Sequence, residues 1–235
     1  MKISIIIPVF NERDTVFEVI RRILSVDFSS IGLKREVVII DDGSTDGTQE
    51  LLKRYQSKNE PANDIKVIFH EKNMGKGAAI RTGFAAASGE IFAIQDADLE
   101  LIPEELPLLL SPIVEGKAKV VFGSRFGKKV KGINPSTLFA NKIFTFFTNL
   151  LYGAQITDMM TCYKVMHRDV VKTFNLRSNR FDIEPEITAK ICKSGYKIYE
   201  VPISYNPRKF TSGKKIAFGD SFSVIWALLK YRFFD

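Results

Sequence analysis

Ile3-Ser4-Ile5-Ile6-Ile7-Pro8-Val9 decides the fold. Its β-branched residues fall on successive positions, so both faces of the strand they form need cover. A strand covered on both faces opens a parallel sheet flanked by helices. Asn11 to Asp14 then carry helix-start side chains, and Val16, Val19, Ile20, Ile23 and Leu24 recur at helical spacing. A second strand is expected over Glu36 to Ile40, ending in Asp41-Asp42-Gly43-Ser44, with Thr45 or Asp46 capping the helix that carries Leu51 and Leu52.

Ile65 to Phe69 reads as a third strand, followed by the loop Asn73-Met74-Gly75-Lys76-Gly77 and an Ala-rich helix from Ala78 to Ala87 that Ser88-Gly89 stops. The fourth strand, Glu90 to Gln95, delivers Asp96-Ala97-Asp98. This alternation predicts right-handed βαβ units, with ligands gathering at the carboxyl ends of the strands. Beyond it are expected a helix Glu104 to Val114, a strand Lys119 to Gly123, a basic loop Ser124 to Asn134, and a Phe-rich helix Ser136 to Tyr152. The apolar residues of that last helix cover more than one stripe, so part of it faces something other than the core. The segment Met160 to Met166 receives no element. A helix Glu184 to Lys193, a strand Lys197 to Pro202 and a terminal helix Phe218 to Phe234 complete the reading.

A chain of 235 residues, 45% of them apolar, can bury a full core. The expected organisation is a domain over 1–217, with a nucleotide-binding half 1–100 and an acceptor half 101–217, then an amphipathic helix 218–235. Net charge is +7. The basic excess lies in Arg125 to Lys142 and Arg208 to Lys215, and it suits phosphates, an anionic bilayer or simply a solvated face. No apolar run reaches the roughly 18 to 20 residues of a spanning helix, and no leader pattern precedes Ile3, so a cytosolic protein is expected. The terminal helix could lie on a membrane interface or pack back onto the domain. Cys162 and Cys192 form no Cys-x-x-Cys pair and read as core thiols, while His70 and His167 read as structural or surface residues.

Asp96 and Asp98, at i and i+2 on a strand end, can converge on one hard divalent cation, although Asp-x-Asp is also a common surface turn. Asp41 and Asp42 belong on the same rim. The Met74 to Gly77 loop could offer backbone N–H groups or Lys76 to a nucleotide. A Walker A loop is absent, as is a dinucleotide fingerprint after the first strand, so nucleotide hydrolysis and hydride transfer lose ground. What remains is a cation-held nucleoside diphosphate beside basic residues, the arrangement for expelling a diphosphate leaving group.

Eight segments carry a resemblance. Ile5-Ile6-Ile7-Pro8-Val9-Phe10-Asn11-Glu12, Val38 to Thr48, Asn73-Met74-Gly75-Lys76-Gly77 and Asp96-Ala97-Asp98 together resemble family-2 glycosyltransferases. Gly123-Ser124-Arg125-Phe126, Thr157-Asp158, Cys162-Tyr163-Lys164 and Val201-Pro202-Ile203-Ser204-Tyr205 with Arg208 narrow this to the polyprenyl (dolichol) phosphate mannosyltransferase/glucosyltransferase branch. The resemblance implies an α/β fold of the GT-A type, with a mostly parallel central sheet, helices on both faces and the C-terminal amphipathic helix. It implies metal-dependent, inverting transfer of a hexose from GDP-mannose or UDP-glucose to polyprenyl or dolichyl phosphate.

Carried over by motif, Pro8, Phe10, Glu12, Ile40 and Asp42 would hold base and ribose, with Lys76 beside the nucleotide. Asp96, Ala97 and Asp98 would hold the sugar nucleotide, and Asp96, Asp98 and Glu100 would bind Mg²⁺ or Mn²⁺. Arg125 would reach the donor or acceptor phosphate, and Arg208 with Lys214 would close over the diphosphate. Three positions depart from the family pattern. Phe10 replaces a frequent tyrosine, Glu100 stands where mannosyl members often have glutamine, and the glycine of Arg208 to Lys215 is displaced, which blurs the choice between Lys214 and Lys215.

A phosphomonoester has its second pKa near ~6, so the acceptor oxygen is already anionic at neutral pH. Asp98, Arg125 and Asp158 are the catalytic candidates. Asp158 is assigned to orienting the sugar or the basic residues, ahead of a general base or a turn cap. Glu184 and Glu186 read as helix N-terminal charges rather than supporting groups of the site. Lys128, Lys129 and Lys131, beside the Phe-rich helix, would attract anionic headgroups, so peripheral attachment to the cytosolic membrane face is expected. A membrane-anchoring partner subunit or a flippase is a further expected partner. The alternatives are a saccharide or other soluble acceptor, a non-catalytic nucleotide-sugar binder and, last, a nucleic-acid binder, for which no stacking motif exists.

Overall fold

The strand opened by Ile3 is β1 (Lys2–Val9), and it lies inside a seven-stranded sheet of order β3-β2-β1-β4-β6-β5-β7. The computed structural model describes residues 1–58, 64–127, 132–208 and 218–234. β1 pairs in parallel with β2 (Lys34–Asp41) and β4 (Ile91–Ile94), and β2 pairs in parallel with β3 (Ile65–Phe69). Between them run the helices α1 (Val16–Ser25), α2 (Thr48–Lys58) and α3 (Lys76–Ala86). Of the two candidate caps of α2, Asp46 serves: its Oδ1 accepts from the backbone and the hydroxyl of Thr48.

Every second residue of β1 goes to a different helix layer. Ile3, Ile5 and Ile7 pack with α1 and with α4 (Leu106–Val114), whereas Ile6 joins Val38, Ile40 and Ala79 of the α3 side. This double burial is why the strand reads as a continuous apolar run. α3 lies close because it is built from small residues. A Cβ on its Gly83 would collide with the side chains of Ile6 and Ile40.

The second half of the sheet departs from expectation at Met160 to Met166. There β6 (Lys164–His167) runs antiparallel to both β4 and β5 (Val120–Ser124), and a short α6 (Arg168–Val171) follows. β7 (Tyr199–Pro202) pairs in parallel with β5, so both point the same way as β4. Four residues, an apolar pair flanked by Lys164 and His167, give β6 little to announce it, and its place is decided by the neighbours it fits between.

α5 (Pro135–Tyr152), α7 (Ile183–Lys193) and α8 (Phe218–Phe233) complete the chain. α8 buries Val224, Ala227, Leu228 and Tyr231 against α5 and α7, and Tyr152 donates to the Leu228 carbonyl at 2.6 Å. One face therefore packs back on the domain. The other leaves Phe222 77% and Trp226 53% exposed. α5 is inside out: three of its four buried residues are Asn141, Thr145 and Thr148, while Phe139, Phe146 and Leu150 are each more than 60% exposed. Among the described residues no helix is long and apolar enough to cross a membrane.

Candidate active site

The carboxyl ends of β1, β2 and β4 open onto one cavity of about 480 Å³. Pro8, Phe10, Glu12, Asp42, Lys76, Asp96, Ala97, Asp98, Glu100, Arg125 and Arg208 all line it, so the sequence-derived set converges on one place. Two positions of the expected set do not. The Ile40 side chain is fully buried among Ile6, Val38 and Ala79, because an inward β2 residue one step before the rim faces α3. Asp158 is also fully buried and sits behind the wall rather than in it. Lys214, Lys215 and the loop lysines Lys128, Lys129 and Lys131 lie outside the described residues.

Asp42 is held from several sides. The backbone N–H groups of Met74 and Gly75 donate to its oxygens at 2.9 and 2.7 Å, and a ring nitrogen of His70 lies 2.7 Å from Oδ1. The other His70 nitrogen is 3.0 Å from the Thr82 hydroxyl, so the imidazole is a positioning bracket. The amides of Met74 and Gly75 thus serve Asp42, where the sequence offered the loop amides to a nucleotide. Gly75 is required here: its φ is +96° and a Cβ would strike the Asn179 carbonyl.

Lys76, in the first turn of α3, is the loop residue that enters the cavity. Its ammonium lies 2.8 Å from Asp96 Oδ1, 2.9 Å from Cys162 Sγ and 3.4 Å from Glu184 Oε1. Burial opposes its charge, but Asp96, Cys162 and Glu184 together hold its pKa well above the ordinary lysine range. Burial likewise opposes the charge of Asp96, and Lys76 more than compensates, so Asp96 is held below the ordinary aspartate range. The Cys162 thiol is pushed well up, first by burial and then by Asp96, and stays protonated.

Among the described residues no ion pair holds the Asp98 carboxylate, and Arg208, bonded to the Asp98 carbonyl, only partly offsets its surroundings. Burial, then the charges of Asp96 and Glu100, push the pKa of Asp98 up to about 7. The turn that carries it is strained, since Leu99 adopts φ +61°, a left-handed conformation rare for a branched residue. Glu100 is occupied: Tyr205 donates its hydroxyl to Oε2 at 2.7 Å and the Arg208 amide donates to Oε1 at 2.9 Å. It ties the Asp98 turn to the segment Tyr205–Arg208. Among the described residues no three His, Cys, Asp or Glu side chains stand close enough to hold an ion, so the three-carboxylate set is not assembled. The chemistry of the Asp96–Asp98 pair nevertheless fits a hard cation, because oxygen donors crowd there with excess negative charge.

The basic wall is built in two ways. Asp158 receives the Arg125 backbone N–H at 3.0 Å and its Nε and terminal nitrogen at 2.7 and 2.8 Å. Burial works against the Arg125 charge, and Asp158 reverses that effect and holds the guanidinium ionised. Arg208 reaches across the cavity mouth, with one terminal nitrogen 2.6 Å from Glu12 and its Nε 3.0 Å from the Asp98 carbonyl.

Sequence reasoning missed Cys162, Glu184 and Tyr205, which also line the cavity. Glu184 is no surface helix-end charge: it is buried, with Oε2 paired to the equally buried Lys164. Glu186, also buried, accepts from the amides of Arg177 and Ser178 in the loop before its helix at 2.8 and 2.7 Å and pairs with Lys190 at 3.2 Å. Cys162, Lys164 and Tyr205 stood inside the segments that carry the family resemblance, which was the available signal.

The family model described as Glycosyl transferase family 2 matches residues 4–174. A dolichol-phosphate mannosyltransferase of Pyrococcus furiosus is 33% identical over 217 residues, covering 88% of this chain and 57% of the relative. An undecaprenyl-phosphate 4-deoxy-4-formamido-L-arabinose transferase of Salmonella paratyphi B is 31% identical over 213 residues, covering 91% of this chain and 62% of the relative. The chain thus spans about three fifths of the length of these curated relatives. Among solved structures, glucosyl-3-phosphoglycerate synthase from Mycobacterium tuberculosis with Mn²⁺, UDP and phosphoglyceric acid matches at a TM-score of 0.71 and 20% identity, covering 99% of this chain and 78% of that one. The same synthase with Mg²⁺ and UDP matches at 0.65 and 20%, covering 98% and 79%. The GT-A type architecture expected from sequence is the one observed.

Proposed function

The chain belongs to glycosyl transferase family 2, and on that premise we propose that it transfers a hexose from GDP-mannose or UDP-glucose to a polyprenyl phosphate, with inversion at the anomeric carbon. The single observation that carries this reading is the cavity in which the Asp96–Asp98 turn faces Arg125 and Arg208. The relatives named for transfer to dolichol phosphate and undecaprenyl phosphate support the acceptor class.

In this reading an acceptor phosphate oxygen attacks the anomeric carbon as the bond to the nucleoside diphosphate breaks, and the electron pair leaves with the diphosphate. The attacking oxygen is already ionised, since the second pKa of a phosphomonoester is ~6. No base is needed. Asp158, spent on Arg125, orients that guanidinium, and Arg125 with Arg208 stabilises the gathered phosphate charge. Asp98 and Asp96 are the residues that would hold Mg²⁺ or Mn²⁺, which when bound neutralises the diphosphate and eases its departure. Glu100 adds charge to that corner while bracing Arg208. Phe10, without a hydroxyl, offers its ring face to the base, beside Asp42 for the ribose. Residues 1–100 serve the nucleotide and 101–217 the acceptor.

Peripheral attachment to the cytosolic membrane face belongs to the same proposal. The outward aromatic faces of α5 and α8 support it, since a lipid-linked acceptor brings a bilayer to the site. A membrane-anchoring subunit or flippase would meet the protein there.

The test is a transfer assay with purified protein, either donor, Mg²⁺ or Mn²⁺, and a short polyprenyl phosphate in detergent, with labelled hexose counted in the organic phase. Transfer to a soluble saccharide but never to the lipid phosphate would replace the acceptor. Thermal shift with GDP and UDP, with and without metal, ranks the donor base by the larger stabilisation. Flotation with anionic liposomes tests attachment, and protein left wholly at the bottom of the gradient would refute it.

A further inference from the structure

We propose that Lys76 is an internal counter-ion of Asp96, holding that carboxylate until a divalent ion arrives and then moving onto Oε1 of Glu184. This rests on the metal-dependent reading above and adds to it a displaceable internal counter-ion with a place prepared for it.

Two distances and one orphaned atom carry the inference. The Lys76 ammonium is bonded to Asp96 Oδ1 at 2.8 Å, but its gap to Glu184 Oε1 is 3.4 Å. That Oε1 is buried and accepts no hydrogen bond. Its twin Oε2 is fixed by Lys164, whose ammonium also donates to the carbonyls of Met159, at 3.1 Å, and Thr161. A buried carboxylate oxygen held only by a 3.4 Å ion pair, with no hydrogen bond, is under-satisfied, and its retention points to a second state in which the ammonium closes on it.

The backbone is built so that only the side chain can make the move. Gly75 and Gly77 flank Lys76, and a Cβ on either would strike the Asn179 or Ser178 carbonyl. The Ala78 amide donates to Asn179 at 3.1 Å. The start of α3 is thereby fixed to the segment that leads into α7, where Glu184 sits. Cys162 Sγ, 2.9 Å from the ammonium, serves as the pivot of the swing.

A divalent ion placed on Asp96 repels an ammonium bonded to the same carboxylate and weakens the hold of Asp96 on it. A divalent ion on Asp96 therefore drives the ammonium away, and Glu184 Oε1 is the nearest acceptor that gains by receiving it. Departure of the ion reverses the swing, so Asp96 is never left as an unpaired buried charge.

The test measures Mn²⁺ binding by electron paramagnetic resonance, without turnover, in wild type, Lys76→Met, Glu184→Gln and the double variant. Lys76→Met should bind Mn²⁺ about tenfold tighter or better, because the competitor is gone. Glu184→Gln should bind it about tenfold weaker, because the ammonium has lost its second place. In the Lys76→Met background the Glu184→Gln substitution should then change affinity by less than about twofold, since no ammonium needs accommodating.

An equal weakening in both backgrounds would mean simple charge addition and would overturn the proposal, as would unchanged or weaker binding in Lys76→Met. Failure of the wild type itself to bind Mn²⁺ would instead remove the metal reading on which the proposal rests. Should Glu184→Gln not fold, a crystal structure of wild type with Mn²⁺ and a nucleoside diphosphate decides. Lys76 Nζ bonded to Glu184 supports the swing, and Nζ still on Asp96 refutes it.

Discussion

The same three strands, β1, β2 and β4, end in opposite electrostatic conditions. At their amino ends the carboxylate of Glu36 accepts from the Ser4 hydroxyl, from the amide and hydroxyl of Ser88 at 2.8 Å each, and from Lys66 at 2.8 Å. Burial alone would raise its pKa, yet these donors bring it down to about 2. At their carboxyl ends Asp98 is buried among like charges and pushed up to about 7. One end is finished by the fold itself, and the other is complete only with something added. Identical backbone support makes the contrast a property of the side chains, and it marks the carboxyl end as the place where ligand chemistry belongs.

The largest expected effect lies at the unfinished end. Asp98→Asn should lower hexose transfer by about 10²- to 10³-fold, the usual scale for loss of one electrostatic stabiliser. It should leave the ligand-free protein at least as stable as wild type in a thermal melt, because repulsion from Asp96 and Glu100 is relieved. A clear drop in Tm would make the two ends alike and break the contrast.

Asp158 sharpens it, being a completed carboxylate inside the unfinished region. Asp158→Ala strands the largely buried Arg125 and should cost about 3 kcal/mol in chemical denaturation, together with transfer activity. At the amino end, Glu36→Gln should cost about 1–3 kcal/mol by leaving Ser4, Ser88 and Lys66 poorly matched. It should not alter nucleotide affinity measured by calorimetry.

The smallest effect concerns pH. Glu36 is held below its unfolded value, so its contribution is present above pH ~4.5 and fades as pH falls toward about 2. The stability difference between wild type and Glu36→Gln, followed by urea titration, should therefore shrink across that interval and stay constant above it. A gap that widened on acidification would reverse the assignment.

What the sequence disclosed follows from one rule. Parallel strands present their carboxyl ends to the ligand, and reading those ends found Asp42, Asp96 and Asp98, while the family resemblance supplied Pro8 and, just after β5, Arg125. β6 breaks the rule because it is reversed, so its amino end meets the rim: Cys162, just before it, lines the cavity, and Lys164 lies buried behind. A search of carboxyl ends passes over such residues. Glu184 was hidden for another reason: an acidic residue in a first helical turn has an adequate local explanation, and only its partners Lys76 and Lys164, far away in sequence, reveal the rest. Ile40 stands one step short of the rim, where a residue beside a rim aspartate still obeys strand alternation and turns its side chain inward.

The reversed polarity of α5 has a practical corollary. A helix that hides hydroxyls and amides while displaying rings treats water as the poor solvent and amphiphile as the good one. Purification in plain buffer should thus yield clusters that mild detergent disperses, and serine at Phe139 and Phe146 should do the work of the detergent.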